Sequence, residues 1–188
     1  MPPSESTSKY PTPNTPTKTI GIFEVCEVEG VLFRRRRGTE HWAKYSPSSQ
    51  SAPQHYDERP ILSLVHERQE PGEPLHWSLF VARENEPGFV YQVTGDAEYM
   101  VYVPSLEPTD LTVSEAFLTL YELAPVTEEQ RLIVEDIASK ERPPSAANRR
   151  SVTENCQGWT VRVITRLVER GIVPDDKLEM AKSMLQPL

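Results

Sequence analysis

The sequence has few cysteines, no long apolar run and no surplus of basic charge, and each lack excludes a class of protein. Its 188 residues contain two cysteines, Cys26 and Cys156, too few for a disulfide scaffold or a cysteine-rich zinc module. No run of about 18 apolar residues that could span a membrane occurs. With 28 acidic residues against 20 lysines and arginines, the net charge is −8. Because phosphate contacts need a cationic surplus, we expect no nucleic-acid partner.

Signals for targeting, metals and cofactors are also missing from the sequence. The start Met1-Pro2, followed by a Ser/Thr/Pro run, predicts neither a secretory signal peptide nor myristoylation. Together with the few cysteines, this favours a reducing compartment and a cytoplasmic protein. The four histidines, none at metal-ligand spacing with another His or Cys, are His41, His55, His66 and His76. Because the histidines lack metal-ligand spacing, we expect no metal. Because no glycine-rich phosphate loop is present, we also expect no cofactor.

Composition divides the chain into a tail and one domain. Residues 1–18 are mainly Pro, Ser, Thr and Lys, a composition that buries too little apolar surface to offset its ordering entropy, so they are predicted to be a disordered tail. The rest, 19–188, is long enough for a single core. Within it, 45–60 has no hydrophobic period and is predicted to be a long loop that borders a site or a partner surface.

Short β-rich segments separated by turn sequences predict an antiparallel meander. These segments are 20–25, 28–33, 61–66, 75–83, 89–94 and 99–103. The first two could pair as a hairpin around Glu29-Gly30. Residues 117–123 are interpreted as a further strand, although Ser114 could equally open a helix there. We expect one small antiparallel sheet of about five to six strands.

Helices are predicted in the last third of the chain. Thr127 and Gln130 form a capping-box sequence, and apolar residues at helical spacing then follow up to about Lys140. Residues 156–169 are apolar on nearly all sides, which is typical of a buried helix. A last amphipathic helix is predicted over 175–185. Because strands come first and helices last, the fold class is α+β, with the sheet packed against the C-terminal helices.

One cysteine occupies a chemically informative position. Cys156 follows Asn155 at the predicted start of a helix, where unpaired amide groups and the positive end of the helix dipole favour a thiolate over a thiol. A nucleophile would be built in this way. A buried structural cysteine is an equally good interpretation of the position alone.

A histidine at the start of a predicted strand is the natural partner for such a cysteine. Alternation along the strand places His76 on the face opposite Trp77, and a histidine at a strand end can exchange protons while the sheet holds it. Gln92, on the next predicted strand, could accept the imidazole N–H and set the tautomer. In a different register, Asp96 would replace Gln92 as the orienting residue.

The order of these parts resembles the lecithin retinol acyltransferase family. The resemblance rests on a His-Trp strand at 75–81, a following strand at 89–93, and an Asn-Cys pair at 155–156 that opens an apolar helix. It covers roughly 74–171. The family is a circularly permuted branch of the papain-like cysteine enzymes, so the resemblance implies a permuted papain-like fold.

The resemblance also implies roles for three residues. Cys156 matches the nucleophile and His76 the general base. Gln92 falls where family members often have a second histidine or another polar orienting residue, and a neutral amide there can orient the imidazole but adds no charge to stabilise imidazolium. The short, charged segment 174–188 departs from the hydrophobic anchor of membrane-acting members, which argues against a bilayer substrate.

The sequence therefore supports two hypotheses. The first is a cysteine-dependent hydrolase or acyltransferase that acts on an amide, ester or thioester of a small molecule or peptide, with Cys156, His76 and Gln92 as its catalytic residues. The second is a non-catalytic binding module on the same fold, in which Cys156 is buried and His76 is only a satisfied polar residue.

Overall fold

The computed structural model of the chain describes residues 10–12, 15–20, 23–36, 42–45, 59–84 and 86–188. The chain divides into two compact units, 1–56 and 57–188, and each unit is described by itself. The sequence indicated one domain over 19–188, whereas contacts between residues group the chain into these two units. Most of the predicted long loop, 46–58, lies outside the described residues.

The first unit contains a four-stranded antiparallel sheet. In chain order and in spatial order, its strands are β1 (Lys18–Ile20), β2 (Phe23–Val28), β3 (Val31–Arg36) and β4 (Ala43–Tyr45). The turn between β2 and β3 has positive φ at both central residues, 51° at Glu29 and 78° at Gly30, a turn whose twist matches that of the paired strands. The predicted hairpin is confirmed, with both strands starting three residues later than expected.

Part of the predicted tail belongs to this first unit. Residues 1–9 lie outside the described residues. The Tyr10 ring lies 5.6 Å, centroid to centroid, from that of Phe33, and Lys18 is the first residue of β1. Ordered contacts therefore begin before residue 19 in the described part of the tail.

The second unit contains two sheets and three α-helices. Its strands are β5 (Ile61–Glu67), β6 (His76–Ala82), β7 (Phe89–Tyr91), β8 (Val93–Asp96), β9 (Tyr99–Tyr102) and β10 (Phe117–Pro125). The larger sheet is antiparallel with the order β10-β5-β6-β7, and β8 pairs with β9 in a separate hairpin. The α+β class is confirmed. The prediction of one sheet of five to six strands is wrong, because the described strands of the two units form three sheets.

The predicted strand over 89–94 is interrupted at Gln92. Tyr91 ends the pairing with β6, and Val93 begins the pairing with β9. The Gln92 carbonyl accepts a hydrogen bond from the Val103 amide at 2.9 Å. Local alternation of side chains does not reveal that a strand changes its pairing partner at one residue, so the sequence pattern predicted one continuous strand here.

The helices lie close to their predicted bounds. They are α1 (Glu128–Lys140), α2 (Cys156–Glu169) and α3 (Asp175–Ser183). The capping box of α1 is confirmed, because Thr127 Oγ1 accepts from the Gln130 amide at 3.2 Å and Gln130 Oε1 accepts from the Thr127 amide at 2.8 Å. The segment after Ser114 is strand β10, so the alternative of a helix there is wrong. Within the described residues, no helix is both long and apolar enough to cross a membrane.

The core of the second unit lies between the larger sheet and α2. Trp77 and Leu79 of β6 and Trp159 and Val163 of α2 are completely buried in one hydrophobic cluster. The apolar face that alternation predicted for β6 is therefore the face that the helix covers. This packing brings the N-terminus of α2 to the first residue of β6.

Candidate functional site

The first residues of a strand and of a helix meet at the candidate site. His76 begins β6, and Cys156 begins α2. The core packing described above sets these two element ends against each other, and the Cys156 side chain is close enough to the His76 imidazole to raise the pKa of His76. Residues far apart in the sequence are thus in contact through their side chains.

The third predicted residue holds the other side of the imidazole. His76 Nε2–H donates to Gln92 Oε1 at 2.8 Å. Gln92 is the residue at which the chain leaves β7 for β8, so its side chain is placed by the change of strand partner. Because Nε2 carries the proton, Nδ1 is the ring nitrogen left to interact with Cys156 and, in the neutral ring, it has a free lone pair.

The surroundings of His76 favour its protonated form. Burial alone would lower the pKa of His76, but the hydrogen bond with Cys156, the charge of the Cys156 thiolate, the hydrogen bond with Gln92 and the Glu67 carboxylate together raise it above the ordinary value. A ring that holds a proton readily beside a thiol is suited to accept the thiol proton.

The start of α2 fixes the cysteine. Asn155 caps the helix, and its Oδ1 accepts a hydrogen bond from the Gln157 amide at 3.0 Å. The Cys156 carbonyl accepts from Thr160 Oγ1 at 2.9 Å. Cys156 is a free thiol with only 2% of its surface exposed. The backbone of Cys156 is therefore fixed at the capped helix start, and its side chain is almost completely enclosed.

Two clefts adjoin the cysteine and the histidine. The first, about 360 Å³ in volume and here called the cysteine cleft, has walls that include Gln69, Asp96, Met100, Arg149, Asn155 and Cys156. The second, about 300 Å³ and here called the histidine cleft, has walls that include Glu67, His76, Gln92, Thr94, Met100 and Ala116. Gln69, Gly95 and Met100 border both clefts, so the two predicted catalytic side chains face adjacent spaces.

The alternative orienting residue has a different role. Asp96 forms an ion pair with Arg149 at 2.9 Å, and its Oδ1 accepts a hydrogen bond from the Glu98 amide at 3.0 Å. Both Asp96 and Arg149 lie in the wall of the cysteine cleft. Gln92, and not Asp96, therefore contacts the His76 ring.

Sequence reasoning missed two glutamines beside the site. Gln157, directly after Cys156, is completely buried, and its Nε2 donates to the carbonyl of Leu75 at 2.8 Å and to Gln186 Oε1 at 2.9 Å. Leu75 directly precedes His76. No local pattern marked either glutamine, since both bonds join residues that are distant in the sequence.

The described residues contain no group of three or more histidine, cysteine, aspartate or glutamate side chains placed to hold a metal ion. The chemistry that the arrangement offers comes from the thiol, the imidazole and the surrounding amides.

A family model described as a family of unknown function, DUF6540, matches residues 62–174, which is more than half of the chain. The matched segment includes His76, Gln92 and Cys156. No curated protein and no solved structure matches the chain.

Proposed function

The chain belongs to DUF6540, a family of unknown function, and from the geometry of its site we propose that it is a cysteine-dependent hydrolase or acyltransferase. The observation that carries the proposal is the placement of Cys156 beside the His76 imidazole, whose pKa it raises, in a ring whose Nε2 donates to Gln92 at 2.8 Å. Nucleophile, base and orienting group in this order are the arrangement of a cysteine acyl-transfer enzyme.

The first half-reaction forms an acyl-enzyme. His76 Nδ1 takes the proton of the Cys156 thiol, and the sulfur attacks the carbonyl carbon of an amide, ester or thioester to form a C–S bond. As the tetrahedral intermediate collapses, the bond to the leaving group breaks and His76 returns the proton to the leaving atom. Gln92 keeps the proton on Nε2 throughout, so Nδ1 remains the nitrogen that exchanges it.

The start of α2 would stabilise the charge on the carbonyl oxygen. The Gln157 amide is already bonded to Asn155 Oδ1. The amide of Cys156, as the first residue of the helix, has no intrahelical acceptor. It is therefore a helix-start donor available to an oxyanion, and the positive end of the helix dipole supports it.

The second half-reaction releases the acyl group. His76 removes a proton from water or from a second nucleophile, which attacks the thioester carbon, and the Cys156 sulfur leaves and takes the proton back. The cysteine cleft is suited to hold the acyl part of a small-molecule or peptide substrate, and the histidine cleft is suited to hold the leaving group and the second nucleophile.

The resemblance to the lecithin retinol acyltransferase family supports the same assignment. We propose a permuted papain-like arrangement, with β6 as the histidine strand and α2 as the cysteine helix. A cytoplasmic location fits the proposal, because a reducing compartment keeps a catalytic thiol free.

The proposal is tested with an S-aryl thioester and an aryl ester as probes. Cys156→Ser and His76→Ala are each expected to nearly abolish turnover, because nucleophile and base are needed in one step. Mass spectrometry of the intact wild type is expected to show an acylated species that Cys156→Ser lacks.

Cys26→Ala is the matched control, since Cys26 is the other buried free cysteine and belongs to the first unit, whereas the candidate site is described within the second. It is expected to keep wild-type turnover, and the melting temperatures of all three variants are expected to stay near that of the wild type. Turnover that survives both Cys156→Ser and His76→Ala would contradict the proposal.

One observation favours a second candidate, a non-catalytic binding module. Only 2% of the Cys156 surface is exposed, as expected for a cysteine that packs in a core. Alkylation separates the two functions. A catalytic pair predicts that Cys156 reacts with iodoacetamide faster than Cys26 and that His76→Ala slows it, whereas a binding module predicts slow alkylation that the substitution leaves unchanged.

A further inference from the structure

Four hydrogen bonds form a closed network among the residue before His76, the residue after Cys156, and Gln186. Gln157 Nε2 donates to the Leu75 carbonyl at 2.8 Å and to Gln186 Oε1 at 2.9 Å. The Gln186 amide donates to Gln157 Oε1 at 2.9 Å, and the Leu75 amide donates to Gln186 Oε1 at 2.6 Å. We call this set of Leu75, Gln157 and Gln186 the glutamine clamp.

Every donor and acceptor group of the Gln157 side chain has a hydrogen-bond partner in the clamp. Both Gln157 amide protons have an acceptor, and its oxygen has a donor, although the residue is completely buried. The Gln186 side chain takes part only as an acceptor, because its Oε1 receives hydrogen bonds from Leu75 and from Gln157. Buried polar groups that are fully satisfied in this way specify one geometry, since any shift would leave a donor or an acceptor unpaired.

The clamp joins the two chain segments that carry the reacting groups. Leu75 is bonded covalently to His76, and Gln157 to Cys156. We propose that Gln157 and Gln186 are positioning residues that hold the Cys156 thiol within hydrogen-bond reach of the His76 imidazole. Neither glutamine touches the reacting atoms. Their catalytic consequence rests on the function proposed above, whereas their effect on the contact between Cys156 and His76 does not.

The positioning role of the clamp is distinct from stabilisation of the fold, because the clamp acts next to the two reacting side chains. The hydrophobic core already attaches α2 to β6 through Trp159 and Trp77. Apolar packing is non-directional, whereas a displacement of about 1 Å at a reacting pair can reduce turnover by about 100-fold. The clamp therefore adds fine alignment to an attachment that the core provides.

The test compares two substitutions of one residue. Gln186→Glu keeps the side-chain oxygen that accepts from Leu75 and Gln157, whereas Gln186→Ala removes it. Because Gln186 is exposed, its truncation leaves no cavity and both variants are expected to fold. The first readout is the titration midpoint of the His76 imidazole by NMR, since the hydrogen bond with Cys156 raises the pKa of His76.

Gln186→Ala is expected to lower the His76 midpoint, and Gln186→Glu to leave it at or above the wild-type value. In turnover of the S-aryl thioester, Gln186→Ala is expected to lose activity by about 3- to 10-fold, and Gln186→Glu to stay within about twofold of the wild type. Gln157→Glu provides a second test, because it replaces the two donating protons with an oxygen that faces two acceptors. It is expected to lower turnover by about 10-fold or more.

An unchanged His76 midpoint in both Gln186→Ala and Gln157→Glu would overturn the clamp. Equal losses in Gln186→Ala and Gln186→Glu would overturn it as well, because the acceptor would then be irrelevant. Failure of the proposed function looks different. In that case the wild type does not turn over the thioester, but the His76 midpoint still distinguishes Gln186→Ala from Gln186→Glu.

Discussion

Acid sensitivity of the second unit is expected to come in large part from His66, and His66→Phe is expected to remove that part. His66 lies on β5 with 5% of its surface exposed, and its ring stacks on that of Trp77 at a centroid distance of 4.7 Å and an interplanar angle of 14°. Its buried Nε2 has no hydrogen-bond partner among the described residues. Burial lowers the pKa of His66 from 6.5 to about 4.

The direction of the effect follows from the two states of the chain. The folded-state pKa of His66 is below the unfolded value, so between about pH 6.5 and pH 4 the unfolded chain binds a proton that the folded chain excludes. The free energy of unfolding therefore falls as the pH falls through this window, by up to about 1.4 kcal/mol per pH unit. From pH 7.5 to pH 4.5 the loss attributable to His66 is about 2.5 kcal/mol.

Urea unfolding followed by circular dichroism at pH 7.5, 6.0, 5.0 and 4.5 measures this loss. His66→Phe keeps an aromatic ring against Trp77 and removes the titrating group, while the carboxylates of the chain affect both proteins equally. The difference in free energy of unfolding between variant and wild type is expected to shift in favour of the variant by about 2.5 kcal/mol over the series.

His76 supplies a control of opposite sign. Its pKa is raised in the folded state, so its contribution is fully present below about pH 6.5 and is lost as the pH rises through the folded-state value. His76→Asn is therefore expected to cost more stability at pH 6 than at pH 8.5. If the difference between His66→Phe and wild type does not vary with pH by more than about 0.5 kcal/mol, burial of His66 does not control its protonation and the reasoning is refuted.

Three further predictions concern Gln92, the cap of α1 and the end of α2. Gln92→Ala is expected to reduce thioester turnover less than His76→Ala does, because water can partly replace the amide oxygen of Gln92. Gln92→His is expected to retain activity. Equal losses of turnover in Gln92→Ala and His76→Ala would show that orientation is as essential as proton transfer. Thr127→Ala removes one half of the capping box and is expected to lower the free energy of unfolding by about 1 kcal/mol, measured by urea unfolding, with no change in turnover. Gly171 has φ of 68° after the last turn of α2. Gly171→Ala is therefore expected to lower the free energy of unfolding by about 1 kcal/mol, and Gly171→Asn by less, because asparagine tolerates this conformation. Equal losses in the same assay would contradict that explanation.

Local chemistry made several elements predictable from the sequence alone. The bounds of α2 follow from the Asn155 cap and the apolar pattern that begins at Cys156. The start of α1 follows from the Thr127 capping box, and the first hairpin follows from the turn at Glu29-Gly30. In each case the deciding interactions join residues within about four positions, so the sequence contains all the participants.

The residue types of the site were also visible in the sequence, but their contact was not. A cysteine at a helix start and a histidine at a strand start were identifiable separately. Only the packing of α2 on β6 brings Cys156 to His76, and only the change of strand partner at Gln92 aims its amide at the imidazole. The choice between Gln92 and Asp96 depended on register, which pairing with distant strands sets.

The tertiary structure alone decided the division into two units and the clamp of Gln157 with Leu75 and Gln186. Neither glutamine belongs to a motif, and each finds its partner on an element distant in the sequence. Hydrogen bonds of this kind join segments that are distant in the sequence, so the loop-closure entropy that they cost is offset by apolar burial in the core. Local patterns therefore fixed the helices and turns, while the alignment of the reacting groups emerged from contacts that no local pattern encodes.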